Sequence, residues 1–232
     1  ILGPAWRCEN RPPTLYSYSF SPHKDCLLSV SSTNELPRDV WRPNSGSRMS
    51  SDGDDGPEED PRIATLYAKA DKLSPEEFGA LVLELGGKDA VVLGGMLSDK
   101  RAAMAHFVVH ALMDVDDGTL AECVIERRKL LKGFVDADAA AAGEGGGKNL
   151  IAALEGFVCN EVEEGAERAS AEADFRAVLQ ALWEHSVVSE DEIRAWQADE
   201  RAGRLFKVGE RSAISMHDRG RLFLEWVDRG EE

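Results

Sequence analysis

The stretch Phe175–Trp196, FRAVLQALWEHSVVSEDEIRAW, contains the pattern of a helix, a turn and a second helix. Apolar side chains in its first half recur every three or four residues, as on the buried face of a helix. They are Phe175, Val178, Leu179, Leu182 and Trp183. After these residues, Ser189 is a suitable N-cap, and Glu192 three residues later completes a capping box. The stretch therefore predicts two consecutive helices joined by a well-specified turn.

The same helical period recurs upstream of this stretch. In LSPEEFGALVLEL, Ser74 is the expected N-cap and Pro75 the first helical residue. Three further segments show the period: MAHFVVHALM (104–113), LAECVIERRKLLKGFV (120–135) and NLIAALEGFV (149–158). No strand-rich stretch interrupts them, so we predict an all-α domain of antiparallel helix pairs, packed as an α-solenoid or a bundle. Residues 135–149 and 201–215 are predicted to be linkers, the first a flexible insertion.

The N-terminal segment differs in composition from the helical part. Seven of the nine prolines lie within residues 1–60, with the acidic run SDGDDGPEEDP at its end. Such a composition is typical of a disordered or poorly packed segment. We therefore predict two regions, a disordered acidic and proline-rich segment over 1–62 and a helical domain over 63–232.

Charge restricts the classes of partner. With 27 basic and 43 acidic residues, the formal net charge is −16, which disfavours direct nucleic-acid binding and favours cationic partners. The sequence contains no run of about 18 apolar residues, so it predicts no membrane helix. Four widely spaced cysteines indicate reduced thiols, as expected of a cytoplasmic protein.

Two patterns that superficially suggest chemistry do not meet the requirements of their motifs. GEGGGK (143–148) lacks the residue order and the preceding strand of a phosphate-binding loop. His106 and His110 have the spacing of a helical metal pair, but neither the HExxH glutamate nor a third ligand accompanies them. We expect no catalytic residue, no metal and no cofactor, and therefore a chain that is not an enzyme.

Acidic and aromatic residues concentrate in two places near the C-terminus. From 184 to 200 there are six acids and one base, Arg194, and RLFLEWVDRGEE (221–232) repeats the combination. Capping explains part of this acidity, and core packing is the ordinary role of tryptophan. The acids that capping does not explain are candidates for a binding surface, and they include Asp199 and Glu200. The predicted partner-binding residues are Glu184, Glu190, Asp191, Glu192, Trp196, Glu225, Trp226, Asp228, Glu231 and Glu232.

These residues carry a resemblance to a known family. LQALWEHSVVSEDEIRAWQADE resembles the first aromatic-acidic box of the two-tryptophan domain that ends several eukaryotic translation initiation factors. LFLEWVDRGEE is similar to the second box. HFVVHALMDVDDGTLAECVIERRKLLKGFV with NLIAALEGFV looks most like initiation factor 5. Trp183 in place of tyrosine, Ser186 in place of an aspartate, and a short acidic tail depart from the family pattern.

The resemblance implies a HEAT-like α-solenoid whose boxes bind lysine-rich segments of the initiation factor 2 beta subunit. It also implies contacts with factor 3 subunit c and factor 1, in part through a basic patch formed by Arg127, Arg128, Lys129 and Lys132. The alternative for that patch is a solvated helix face. Trp196 and Trp226 are expected mainly as core anchors, with partial exposure for cation–π contact as the alternative. Residues 1–60 supply neither the catalytic arginine nor the zinc ribbon of factor 5, so GTPase activation is not expected.

Two other functions remain open at this point. ALVLELGGKDA resembles a stretch in the epsilon subunit of initiation factor 2B, whose final domain promotes nucleotide exchange, and Glu84 would then be the catalytic candidate. An exposed helix acid is the simpler interpretation of Glu84. The third possibility is a helical scaffold unrelated to translation.

Overall fold

The chain is described from a computed structural model over residues 60–86, 99–113, 118–143, 146–199 and 205–230. Within these ranges it forms eight α-helices and no strand, which confirms the all-α prediction for the part described. The helices are α1 Pro61–Ala70, α2 Pro75–Gly86, α3 Lys100–Leu112, α4 Leu120–Ala142, α5 Gly147–Asn160, α6 Ala166–Glu184, α7 Glu190–Gln197 and α8 Glu210–Asp228. The predicted N-terminal segment, 1–62, lies outside the described residues except for its last three.

The helices pack in two layers that alternate along the chain. In one layer, α1 packs on α3, α3 on α5 and α5 on α7. In the other, α2 packs on α4, α4 on α6 and α6 on α8. Each helix thus finds its main neighbour two elements away, which is the arrangement expected when successive helix pairs stack as an α-solenoid.

The core between the layers is built from the apolar faces that the helical period predicts. On α2, Phe78 and Val82 are buried, and on α6 the same is true of Phe175, Val178 and Leu182. Removing each such side chain from water stabilises the fold by about 1.5–3 kcal/mol. The buried faces of these helices therefore confirm the predicted spacing.

A close approach of α2 to α4 depends on two glycines. A Cβ atom on Gly133 of α4 would lie 2.1 Å from the carbonyl oxygen of Pro75. On the other helix, a Cβ atom on Gly79 would lie 2.4 Å from the carbonyl oxygen of Gly133. The absence of both side chains lets the two backbones touch, and this contact fixes where α4 crosses the first turn of α2.

The prediction of a flexible insertion over 135–149 is wrong for its described part, 135–143 and 146–149. Helix α4 continues to Ala142 and ends at Gly143, whose φ of 73° is the left-handed conformation of a helix C-cap. Asp138 is buried and accepts hydrogen bonds from the Arg101 guanidinium of α3 at 2.8 and 3.1 Å. A run of alanines lacks the large apolar residues that mark a helical period, although alanine is the best helix former.

The prediction of a linker over 201–215 is also wrong for its described part. Helix α8 begins at Glu210, six residues earlier than predicted. Phe206 is buried over Gly156 of α5, and its carbonyl oxygen accepts a hydrogen bond from Asn160 Nδ2 at 2.8 Å. The segment before α8 is therefore anchored to α5 by one aromatic side chain and one backbone bond.

Among the described helices, none combines the length and the apolar character needed to cross a membrane.

Candidate functional site

The turn between α6 and α7 is specified at both helix ends. Ser186 has a φ of 52°, and its N–H donates to the Trp183 carbonyl at 2.9 Å, while the Val187 N–H donates to the Leu182 carbonyl at 2.9 Å. These bonds form a Schellman motif. On the far side, the Ser189 side chain and Glu192 form the predicted capping box. The direction in which α7 leaves α6 is therefore fixed by local hydrogen bonds.

Trp196 anchors α7 in the core. Its side chain is fully buried, and its indole Nε1–H donates to Glu155 Oε2 of α5 at 3.1 Å. Its ring lies 4.4 Å, between centroids, from the imidazole of His217 on α8. This position agrees with the interpretation of Trp196 as a core anchor. It does not agree with a direct contact between the Trp196 side chain and a partner.

Arg194 connects the two acidic segments. Its Nη2 lies 2.7 Å from Glu190 Oε1 on α7 and 2.5 Å from Asp228 Oδ1 on α8. All three side chains are open to solvent, with 41%, 40% and 58% of their surface exposed for Arg194, Glu190 and Asp228. The hydrogen bonds that its guanidinium donates to Glu190 and Asp228 raise the pKa of Arg194 above its usual range. Glu190 and Asp228 therefore lie on the same exposed surface, where Arg194 joins them.

Other predicted acids are occupied within the fold. Besides capping α7, Glu192 accepts a hydrogen bond through Oε1 from the Gly147 N–H at the start of α5, at 2.8 Å. Asp199 pairs with Lys148 of α5 at 3.1 Å. These two carboxylates hold α7 on α5 and are less available to a partner than their positions in the sequence suggest.

The remaining predicted acids lie at the surface. Glu225 pairs with Arg221 at 2.6 Å, and Glu184 accepts from Gln180 at 2.6 Å. Asp191 is exposed in the first turn of α7, and no described residue pairs with it. The predicted acids outside the described residues are Glu200, Glu231 and Glu232.

An aromatic cluster lies where α6 meets α8. Trp183 and Trp226 are both half-buried and meet edge to face at a centroid distance of 5.9 Å. Buried Phe223 lies 6.0 Å from Trp183 and 5.8 Å from Trp226. Trp226 therefore packs against its own domain while keeping part of its ring at the surface beside Glu225.

The basic patch on α4 is partly neutralised. Arg127 pairs with Asp71 after α1 at 2.7 Å, and Lys132 pairs with Asp136 at 3.0 Å. Arg128 donates to the carbonyl oxygen of Ile125 at 2.6 Å. Lys129 and Lys132 line a shallow groove of about 430 Å³ between α4 and the start of α2. This arrangement agrees with a solvated helix face and contains no described feature that selects a ligand.

Neither Glu84 nor the two helical histidines belong to a group of described residues that could hold a metal ion. Glu84 is exposed on α2. The rings of His106 and His110 are in contact, tilted by 50° at a centroid distance of 3.9 Å. Burial lowers the pKa of His106 to about 4 and that of His110 to about 3. No described group of three histidine, cysteine, aspartate or glutamate side chains has the geometry to hold a metal ion.

A buried polar cluster was missed by the sequence reasoning. Glu155 is fully buried on α5, and burial raises its pKa to about 7. His217 Nε2 of α8 lies 3.8 Å from Glu155 Oε1. A glutamate within the apolar period of α5 was the available signal, because an acid on a buried helix face needs a partner.

No family model, no curated protein and no solved structure matches the chain.

Proposed function

We propose that this chain is an interaction module of translation initiation that binds lysine-rich segments of the initiation factor 2 beta subunit. The observation that supports the proposal is the bridge from Glu190 through Arg194 to Asp228, which brings α7 and α8 acids onto one exposed surface. Asp191 adjoins Glu190, and Glu225 lies about one helical turn before Asp228. We call Glu190, Asp191, Glu225 and Asp228 the acidic surface.

Lysine suits this surface for a physical reason. Its compact ammonium can insert between carboxylates that are held apart by packed helices. Arg194 and Arg221 already offset part of the negative charge, so a lysine-rich segment must compete with them for the same oxygens. We therefore expect association that depends strongly on salt and an affinity below that suggested by counting acids. The half-buried Trp226 beside Glu225 offers an additional cation–π contact.

Charge substitutions at two positions test the proposal. Asp191→Lys reverses a charge that supports no described ion pair, so we expect weaker binding of a lysine-block peptide by about fivefold, equivalent to ~1 kcal/mol. Arg194→Gln releases Glu190 and Asp228 from their internal partner, so we expect tighter binding. Fluorescence anisotropy with a labelled peptide at low and high salt measures both effects.

Glu163→Lys is the matched control. Glu163 is exposed just before α6, whereas the acidic surface lies beyond the other end of that 19-residue helix, about 28 Å long. Its reversal changes net charge equally and should leave affinity nearly unchanged. Binding that ignored salt and responded equally to both reversals would refute the proposal. Faster GDP release from initiation factor 2, abolished by Glu84→Gln, would favour the exchange function instead.

A further inference from the structure

A buried carboxylate lies at the junction of three helices. Glu155 of α5 is fully buried, and its Oε2 accepts the indole hydrogen bond from Trp196 of α7 at 3.1 Å. Its Oε1 is also buried and has no hydrogen-bond partner among the described residues. An acceptor left in this state destabilises a fold unless a proton or a donor reaches it.

His217 of α8 is the titratable group positioned to share that proton. Its Nε2 lies 3.8 Å from Glu155 Oε1, and its ring packs on the Trp196 indole at a centroid distance of 4.4 Å. A hydrogen bond with the Gln197 backbone orients the imidazole from the α7 side. The carboxyl, the indole and the imidazole thus form one contact between α5, α7 and α8.

We propose that Glu155 and His217 share a single proton and that this proton is a latch holding α7 against α5 and α8. With the proton present, a neutral carboxyl faces a neutral imidazole, and Oε1–H can donate to Nε2 once the 3.8 Å between the two atoms closes to hydrogen-bond distance. After the proton leaves, a buried carboxylate retains only the indole donor, and the packing around Trp196 loosens to admit water. Since both states belong to the free chain, the latch does not depend on the proposed partner.

Burial shifts both groups towards their neutral forms. Desolvation raises the pKa of Glu155 from 4.5 to about 7, and the indole hydrogen bond opposes this only in part. Desolvation lowers the pKa of His217, against smaller opposing effects of the Gln197 backbone and Asp199. The latch requires this state, in which a protonated, neutral carboxyl lies beside a neutral imidazole.

Most other ionisable groups around α5 have their main partners away from Glu155. From α3, His110 meets the Phe157 ring and lies 4.0 Å from Glu161 after α5, while His106 lies over Phe206. From α6, Arg168 and Glu172 act on Cys159, which lies one helical turn after Glu155 on α5, and Glu155 itself also raises the pKa of this buried thiol. From α7, Glu192 binds the N-terminus of α5, and Asp199 pairs with Lys148. Among the described histidine, lysine and arginine side chains, His217 is the one within 4.0 Å of a Glu155 oxygen.

Nuclear magnetic resonance of the full chain tests the latch. The assigned Trp196 indole ¹⁵N–¹H signal should titrate between pH 5.5 and 8.5 with a midpoint near 7. Amide hydrogen exchange in α7, corrected for its intrinsic pH dependence, should accelerate about tenfold between one unit below and one unit above the midpoint, as the deprotonated fraction rises about tenfold. An indole signal that is constant between pH 6 and 8 would overturn the proposal.

Variants of Glu155 and His217 test whether the titrating proton belongs to this pair. Glu155→Gln keeps an oxygen acceptor for the indole and should abolish the titration, whereas Asp218→Asn, an exposed neighbour of His217, should preserve it. His217→Gln should move the midpoint by more than about half a unit, because it replaces the proton-sharing imidazole. Should Glu155→Gln fail to fold, His217→Gln decides alone. Titration that persists in Glu155→Gln, or an unmoved midpoint in His217→Gln, rejects the latch.

Discussion

At the scale of single residues, the end of α6 contains a position with a conformational cost. Ser186 has a φ of 52°, which places a side chain with a Cβ atom in the left-handed region. That conformation costs about 1–2 kcal/mol for residues other than glycine. Ser186→Gly should raise the free energy of unfolding by about 1 kcal/mol, partly offset by the greater freedom of glycine in the unfolded chain. Thermal unfolding should show a midpoint higher by about 2–4 °C.

Two controls separate backbone strain from the effect of glycine itself. Ser186→Ala retains the Cβ atom and should give no gain. Ser170→Gly, at an exposed position within α6, should lower stability by about 0.5 kcal/mol because glycine is a poor helix former. A gain from Ser186→Ala equal to that from Ser186→Gly would show that the serine hydroxyl, not the backbone conformation, limits stability.

Glu192 illustrates why one side chain can serve two elements. Its Oε2 accepts from the Ser189 N–H at 2.8 Å, and its Oε1 accepts from the Gly147 N–H at 2.8 Å. The start of α5 has no side-chain cap of its own. A single carboxylate therefore satisfies donors at the N-termini of α5 and α7, where the helix dipole also favours negative charge.

At the scale of elements, the last turns of α4 depend on Asp138. This carboxylate has 2% of its side chain exposed and accepts from both Nε and Nη2 of Arg101, which is 25% exposed. Asp138→Asn keeps the shape but leaves the guanidinium beside a neutral amide. We expect a loss of about 2 kcal/mol, below the 3–5 kcal/mol of a fully buried pair because Arg101 reaches solvent. Urea denaturation measures the difference.

Asp136→Asn is the matched control for Asp138→Asn on the same helix. Asp136 has 61% of its side chain exposed and pairs with Lys132, 46% exposed, one turn earlier. Its substitution should change stability by less than about 0.5 kcal/mol. Equal effects of the two substitutions would argue that residues 135–142 form no packed part of the domain.

Local sequence patterns predicted which segments form helices. They predicted less well where the helices end and which residues of different helices are in contact. The apolar period of α6 and the capping box at Ser189 involve neighbours within a few residues, and both are confirmed. The Arg194 to Asp228 bridge joins residues 34 apart, and the Glu155 to Trp196 bond joins residues 41 apart. Such pairs depend on how helices stack, which the period of one helix does not specify. Asp138 was missed for the same reason, since Arg101 precedes it by 37 residues.

At the scale of the whole molecule, buried groups of two kinds respond to pH in opposite directions. Glu155 has its pKa raised from 4.5 to about 7. Between these values the folded chain retains a proton that the unfolded chain has released, so stability falls as pH rises. Desolvation lowers the pKa of His106 from 6.5 to about 4, and that of His110 to about 3. Below 6.5 the unfolded chain takes up protons that the folded chain excludes, so stability falls as pH falls.

Acidification from pH 8 to pH 5 should therefore lower the free energy of unfolding less in the unsubstituted chain than in Glu155→Gln. The glutamate offsets part of the loss caused by the two histidines, and removing it should deepen that loss by about 2 kcal/mol. Urea denaturation at unit steps between pH 5 and pH 8 measures the difference. His106→Gln should reduce the loss, whereas His185→Gln, exposed after α6, should follow the unsubstituted chain. Parallel pH profiles for the unsubstituted chain and Glu155→Gln would mean that Glu155 titrates alike in the folded and unfolded states, contrary to its burial between α5, α7 and α8.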